Sequence, residues 1–124
     1  MSTESVTLVL PWADLASSNQ RGKRKGGRAH GWDYKLSREA IHLHSMDQIR
    51  GERPAFADGG VEVIMRFYPP TFRGDPHNML KVILDSLQGT AYTNDSQVRS
   101  ISHLVVDRDK ENPRCEITIN RYRP

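Results

Sequence analysis

The chain has 124 residues, the size of one ordinary domain with a single hydrophobic core, and we treat residues 1–124 as that domain. With 18 Lys and Arg against 15 Asp and Glu, the net charge is +3, and the low hydrophobic content of 36% excludes a predicted membrane span. The single cysteine, Cys115, excludes an internal disulfide and a cysteine-based zinc site within one chain, and the N-terminal residues lack the pattern of a signal peptide. We therefore expect an intracellular, cytoplasmic protein without a membrane association.

The N-terminal quarter of the sequence predicts a strand followed by a basic loop. Hydrophobic residues alternate over residues 5–11, and Pro11 ends the run. Residues 15–32 then contain no acidic residue, so this stretch predicts an exposed loop. Its basic residues alternate with glycines and are Arg21, Lys23, Arg24, Lys25 and Arg28. The loop is either simply solvated or an arm that contacts nucleic-acid phosphates.

Residues 38–50 predict a helix, with Ser37 as its N-cap and Gly51 beyond its end. The spacing predicts that its buried stripe consists of Leu36, Ala40, Leu43 and Asp47, with Ile41 and Met46 nearby. His42 and His44 are two residues apart and point in different directions on a helix, so they are not predicted to form a pair of metal ligands.

The second half of the sequence predicts the remaining elements of one sheet and one more helix. Alternation predicts a strand over 61–68, and the apolar spacing predicts a helix over 76–88 that Gly89 closes. Two strands follow, at about 97–107 and 114–122, and Cys115 is predicted to be a core residue of the last one. The order βαβαββ indicates a two-layer α+β fold, with a mixed sheet of about four strands and helices mainly on one face.

Polar residues of two segments form a candidate catalytic site. Asp75 is placed to cap the helix, and His77, Lys81 and Asp85 share one face of it at spacings of four. Asp95 stands at the head of the next strand, and a short return of the chain would bring it near Asp75. Two carboxylates and an imidazole suit Mg²⁺ or Mn²⁺. The alternative is that these residues have structural roles only. Asp75 would then be part of an ordinary helix start, Lys81 and Asp85 a surface ion pair, and Asp95 part of a turn.

These polar residues resemble, in type and spacing, the motif of the RusA family of Holliday junction resolvases. The resemblance rests on Asp75, His77, Asn78, Lys81, Asp85 and Leu87, followed by Asn94, Asp95, Ser96, Gln97 and Val98. The start of the chain is also similar, with Leu10-Pro11-Trp12 and then Ser18-Asn19 before the basic segment. The strong match covers residues 75–98, about a fifth of the chain, and the order of elements agrees over nearly all of it.

The resemblance implies a role for each matched residue. Asp75 and Asp95 would be metal ligands and catalytic residues, with His77 as a third ligand, and the cofactor would be Mg²⁺ or Mn²⁺. Lys81 would be the essential lysine, and Asn78 would support the site. The activity implied is cleavage of the phosphodiester bonds of four-way junctions and related branched DNA in recombination and repair. The family occurs in phages and prophages, so a phage origin is a further expectation.

Two positions depart from the family motif, which has acids where this sequence has His77 and Asn94. An imidazole brings no negative charge, so metal affinity is expected to be weaker. Asp85, two turns beyond His77, is predicted as a supporting residue. Because of these departures, a second hypothesis remains open, namely a non-catalytic relative that binds branched DNA and has a degraded metal site. A third hypothesis is a small basic interaction protein.

A homodimer is the expected assembly. A four-way junction has approximate two-fold symmetry, so paired cuts favour a C2 dimer, and the resemblance implies one. The five basic residues of segment 21–28 would then be doubled in the DNA-binding surface. Trp12 and Trp32 bracket that segment, and each is either a stacking partner for an unpaired base or a packing residue.

Overall fold

The computed structural model describes residues 4–15, 29–72 and 79–124. For residues 29–33 it describes the backbone but not the side chains. Its strands are β1 (Ser5–Pro11), β2 (Val61–Tyr68), β3 (Val98–Val105) and β4 (Arg114–Arg121), and its helices are α1 (Ala29–Gln48) and α2 (Leu80–Ser86). Short 3₁₀ turns span Trp12–Asp14 and Asp95–Gln97. The predicted α+β fold with a four-stranded mixed sheet is confirmed. Among the described helices, none is long and apolar enough to cross a membrane.

The four strands lie side by side in the order β1-β4-β2-β3. β4 pairs antiparallel with both β1 and β2, whereas β2 and β3 are parallel. Parallel neighbours cannot be joined by a tight hairpin, so the chain crosses over between them, and α2 is the helix of that crossover. The residues after α2 must therefore return to the start of β3, which is where Asp95 lies.

One face of the sheet forms the core. Alternate residues of β1, β2 and β4 are fully buried, and they join one cluster with side chains of both helices. The largest of these buried residues are Leu8, Leu10, Ile41, Phe56, Met65, Phe67, Ile83, Leu87, Tyr92, Ile117 and Ile119. The intervening residues of β2 and β4 are only partly covered, because this alternation places them on the opposite face.

Trp12 is a packing residue in this fold. Its ring meets that of Phe67 edge-on, with the two centroids 6.1 Å apart, and it packs against the core. Of the two alternatives for Trp12, the structure favours packing over base stacking. The side chain of Trp32 lies outside the described residues.

The first helix begins earlier than the sequence predicts. α1 starts at Ala29 rather than at residue 38, so residues 29–32 of the predicted loop are helical and Ser37 lies inside the helix instead of capping it. Residues 16–28 lie outside the described residues. The added turns bring Tyr34 to Asp85 on α2, and this tertiary contact is not visible in the local sequence.

The buried stripe of α1 was also predicted wrongly. Ile41, Ser45 and Ile49 are buried, whereas Leu36 and Leu43 are 55% and 64% exposed. Ser45 fits in the core because its hydroxyl donates to the carbonyl of His42 and lies 2.9 Å from the hydroxyl of Thr90. A satisfied hydroxyl costs little to bury, so Ser45 can share the buried face of the helix with Ile41 and Ile49.

Cys115 lies in β4 and is fully buried, as predicted for a core residue. Burial raises the pKa of its thiol to about 12, so almost no thiolate exists at pH 8. We expect Ellman's reagent to label the native protein very slowly and the urea-unfolded protein at once. Complete labelling of the native protein within minutes would contradict this placement.

Candidate active site

Lys81 and Asp85 lie on the same face of α2, one turn apart. The Lys81 ammonium donates to the Asp85 carboxylate at 3.1 Å. The two side chains differ in exposure, since that of Lys81 is 79% exposed and that of Asp85 only 17%. The pair is therefore not a fully solvated ion pair. A largely buried carboxylate accepts from the ammonium group of a side chain that is mostly exposed to solvent.

A second donor reaches Asp85 from the other helix. The Tyr34 hydroxyl on α1 donates a short hydrogen bond to the same carboxylate oxygen that accepts from Lys81. The Lys81 ammonium also lies 6.0 Å from the centre of the Tyr34 ring, at the limit of a cation–π contact. Tyr34 was not among the predicted site residues, because it stands before the predicted helix and no motif marks it.

The contacts among Lys81, Asp85 and Tyr34 also determine the protonation states of these three side chains. Burial by itself would raise the pKa of Asp85, but the hydrogen bonds from Tyr34 and Lys81 outweigh it and hold the pKa below its usual value. The hydrogen bond to Asp85 raises the pKa of Lys81, and burial together with Asp85 raises the pKa of Tyr34. At neutral pH the cluster therefore consists of an ammonium, a carboxylate and a neutral phenol.

The lowered pKa of Asp85 gives the folded protein a defined acid sensitivity. Because the pKa in the folded state lies below the unfolded value of about 4, this stabilisation is complete above about pH 5. It is lost as the pH falls through the folded pKa. We expect the urea midpoint to fall further between pH 6 and pH 3 in the wild type than in Asp85→Asn. Asp47→Asn removes an exposed carboxylate of α1 and is the matched control. An equal fall in all three proteins would contradict the role of Asp85.

Asp95 opens the 3₁₀ turn before β3, and Asn94 caps that turn. The Asn94 side-chain oxygen accepts from the amide of Ser96 at 2.8 Å, while the Gln97 side chain accepts from the amide of Asn94 at 3.1 Å. Asn and Asp are about equally good at such a cap. The departure from the family motif at position 94 thus keeps the local structure and removes one negative charge.

Two glutamines hold the backbone around Asp95. The Gln97 amide donates to the carbonyls of Phe56 and Gly59, and the Gln88 side chain accepts from the amide of Asp95 at 3.1 Å. The Asp95 side chain itself is exposed, and no described residue donates a hydrogen bond to its carboxylate. A carboxylate on a fixed backbone with unused lone pairs is suited to bind a cation.

Asp85 and Asp95 both lie close enough to Tyr92 to affect its phenol. Burial is the main reason for the raised pKa of the Tyr92 phenol, and the charges of Asp95 and Asp85 raise it further. The Tyr92 hydroxyl donates to the carbonyl of Leu84 at 2.7 Å and so ties the loop back against α2. The turn of α2 that carries Asp85 and the turn that carries Asp95 are thereby brought together.

The remaining predicted site residues lie outside the described residues. These are Asp75, His77 and Asn78, together with Arg21, Lys23, Arg24, Lys25 and Arg28 of the basic segment. Within the described ranges, no three His, Cys, Asp or Glu side chains form a group that could hold a metal ion. Asp85 already accepts from two donors, so Asp95 is the better candidate ligand of the two described acids.

His42 and His44 of α1 have structural partners. The Nδ1 of His42 donates to the carbonyl of Ser86 at 2.9 Å, since a carbonyl can only accept, and His44 lies 2.8 Å from the carboxylate of Asp14. The two rings thus contact different segments of the chain.

Comparison with known protein families gives one match. The family model described as endodeoxyribonuclease RusA matches residues 11–120, which is nearly the whole chain. A search of curated proteins found no match. The family match covers Lys81, Asp85 and Asp95 as well as the candidate ligands of residues 75–78.

Proposed function

Because the chain belongs to the RusA family of endodeoxyribonucleases, we propose that it resolves Holliday junctions and related branched DNA by paired cleavage of phosphodiester bonds in recombination and repair. The observation that supports this most is the placement of Lys81 and Asp95. Lys81 is exposed but anchored by Asp85, and Asp95 is exposed on a fixed turn next to the same helix. Two of the three residues that the motif predicts to be catalytic are thus exposed to solvent, where a substrate can reach them.

We propose that Asp75, His77 and Asp95 hold a divalent cation, Mg²⁺ or Mn²⁺. Carboxylate oxygens suit both ions, and the imidazole favours Mn²⁺. When bound, such an ion lowers the pKa of a water molecule and neutralises charge on a phosphate. Asp95 would contribute a carboxylate from a turn whose backbone is held by Gln88, which accepts from the amide of Asp95, and by Gln97, which accepts from the amide of Asn94.

The protein's own groups complete the chemistry. The Lys81 ammonium stays protonated, since its pKa is raised, and provides a fixed positive charge where the phosphate gains negative charge in the transition state. Asp85 and Tyr34 hold that ammonium in place, so little reorganisation is needed when the substrate binds. Asn78 is proposed to support the ligands at the start of the helix.

The basic segment 21–28 is proposed to bind DNA phosphates, and a C2 homodimer would carry two such segments. We expect junction affinity to fall steeply with salt, because each phosphate contact adds about 0.9 to the slope of log affinity against log salt. Replacing Arg21, Lys23, Arg24, Lys25 and Arg28 by Gln should flatten that slope, as measured by fluorescence anisotropy. A slope unchanged by these substitutions would contradict a phosphate-contacting arm.

A non-catalytic protein that binds branched DNA is the second candidate function. His77 and Asn94 favour it, because two positions that carry acids in the family motif are uncharged here. The amide oxygen of Asn94 is also engaged with Ser96 in the cap. This candidate predicts tight junction binding without cleavage.

Cleavage of a synthetic mobile four-way junction in Mg²⁺, Mn²⁺ or EDTA tests the proposal. Paired, symmetric nicks with either ion and none in EDTA are the expected result. Tight binding without nicks in either ion would overturn it in favour of the non-catalytic protein. Equal binding to linear duplex and junction would instead indicate a general basic interaction protein.

A further inference from the structure

A groove of about 560 Å³ runs between α1 and α2, beside the cluster of Lys81, Asp85 and Tyr34. On the α1 side it is lined by Lys35, Arg38, Glu39, His42 and Leu43. On the other side it is lined by Asp85 of α2 and by Gln88, two residues beyond the end of that helix. None of the residues contributed by α1 belongs to the family motif described above. The predicted catalytic residues therefore do not account for the α1 side of the groove.

Its α1 side carries a pair of cations. Lys35 and Arg38 are three residues apart in the helix, so their side chains are neighbours, and both residues are exposed. Arg38 is close enough to Asp85 to lower the pKa of that carboxyl. Asp85 itself accepts from Lys81 at 3.1 Å.

The groove is continuous with the candidate active site. Asp85 lines the groove and accepts from Lys81, while Gln88 lines the groove and accepts from the amide of Asp95. An elongated anion that lies along Lys35 and Arg38 would therefore pass Asp85 and Gln88, which contact Lys81 and the backbone of Asp95. A sugar–phosphate backbone has this form, with charges repeated along one strand.

The groove also offers an apolar contact and a hydrogen-bonding ring. Leu43, on its α1 side, is 64% exposed. His42 uses Nδ1 for the carbonyl of Ser86, which leaves its Nε2 outside that bond. A sugar or base edge next to the phosphates would cover the leucine side chain and meet the imidazole.

We propose that this groove binds one strand of the DNA substrate, and that Lys35 and Arg38 contact phosphates next to the one that is cut. The inference rests on the proposed function for the identity of the anion. Glu39 lies beside Arg38 and repels a phosphate, so its charge opposes binding. The proposal therefore predicts changes of opposite sign from neighbouring residues of one helix.

The test is equilibrium binding of a four-way junction in EDTA, over a range of salt from 50 to 300 mM, so that binding is measured apart from cleavage. The double variant Lys35→Ala/Arg38→Ala is expected to bind about tenfold or more weakly and to lose about 2 from the salt slope. Glu39→Gln is expected to bind more tightly. The matched control, Arg50→Ala/Lys110→Ala, removes two exposed cations outside the groove and should change affinity less than twofold.

Several outcomes would overturn the proposal. Wild-type affinity in the double variant, or an equal loss in the control, would show that the groove has no specific part in binding. Weaker binding by Glu39→Gln would do the same, and thermal melting must show that each variant stays folded. A failure of the proposed function would be detected in a different assay, because the binding measurement needs no cleavage. It would appear as the absence of metal-dependent nicks by the wild-type protein.

Discussion

Asp95→Asn is expected to reduce metal-dependent junction cleavage at least about 100-fold while leaving junction binding in EDTA unchanged. Replacing groups that only orient metal ligands already costs about 10- to 100-fold, so losing a ligand should cost no less. Asn can keep the start of the turn intact, because the amide of Asp95 is held by Gln88 and the cap is made by Asn94. The loss should therefore be one of chemistry rather than folding.

Asp58→Asn is the control for this substitution, since Asp58 is exposed and is not among the candidate ligands. It should cleave like the wild type. Asp75→Asn should match Asp95→Asn if the two carboxylates act on one ion. Cleavage by Asp95→Asn within threefold of the wild type would exclude Asp95 as a ligand, and a parallel loss of binding would indicate a structural role.

Lys81→Ala is expected to lower the cleavage rate at saturating junction by about 100- to 1,000-fold, the usual effect of removing a group that stabilises transition-state charge. Junction affinity should fall much less, because the ammonium is one of many cations available to the DNA. The side chain is 79% exposed, so the free energy of unfolding should change little. Single-turnover cleavage and anisotropy together measure the two effects.

Lys81→Arg tests whether a positive charge at residue 81 is sufficient for cleavage or whether the position of that charge also matters. An arginine keeps the charge but has a planar, longer head group that cannot reproduce the contacts with Asp85 and Tyr34. We expect it to recover only part of the activity. Tyr34→Phe should lower the cleavage rate modestly through the lost hydrogen bond to Asp85, with junction affinity unchanged. Full activity in Lys81→Ala would rule out an electrostatic role for this lysine.

The sequence alone determined the sheet and its interior. Strict alternation in β2 and β4 fixed which side chains face the core, because a period of two leaves no choice of face once one side is buried. Residues 61–68 coincide with β2, whereas the predicted strands at 97–107 and 114–122 run slightly beyond β3 and β4. Gln97 belongs to the 3₁₀ turn instead, where its side chain holds Phe56 and Gly59.

The sequence also marked Lys81, Asp85 and Asp95, since spacing along a helix and a motif of fixed length are local properties. Only the tertiary structure decided how these residues are used. Tyr34 reaches Asp85 across 51 residues of chain, and the buried face of α1 includes Ser45, whose hydroxyl lies 2.9 Å from that of Thr90. Contacts between distant segments depend on how the two helices dock, and no periodicity along the chain records that geometry.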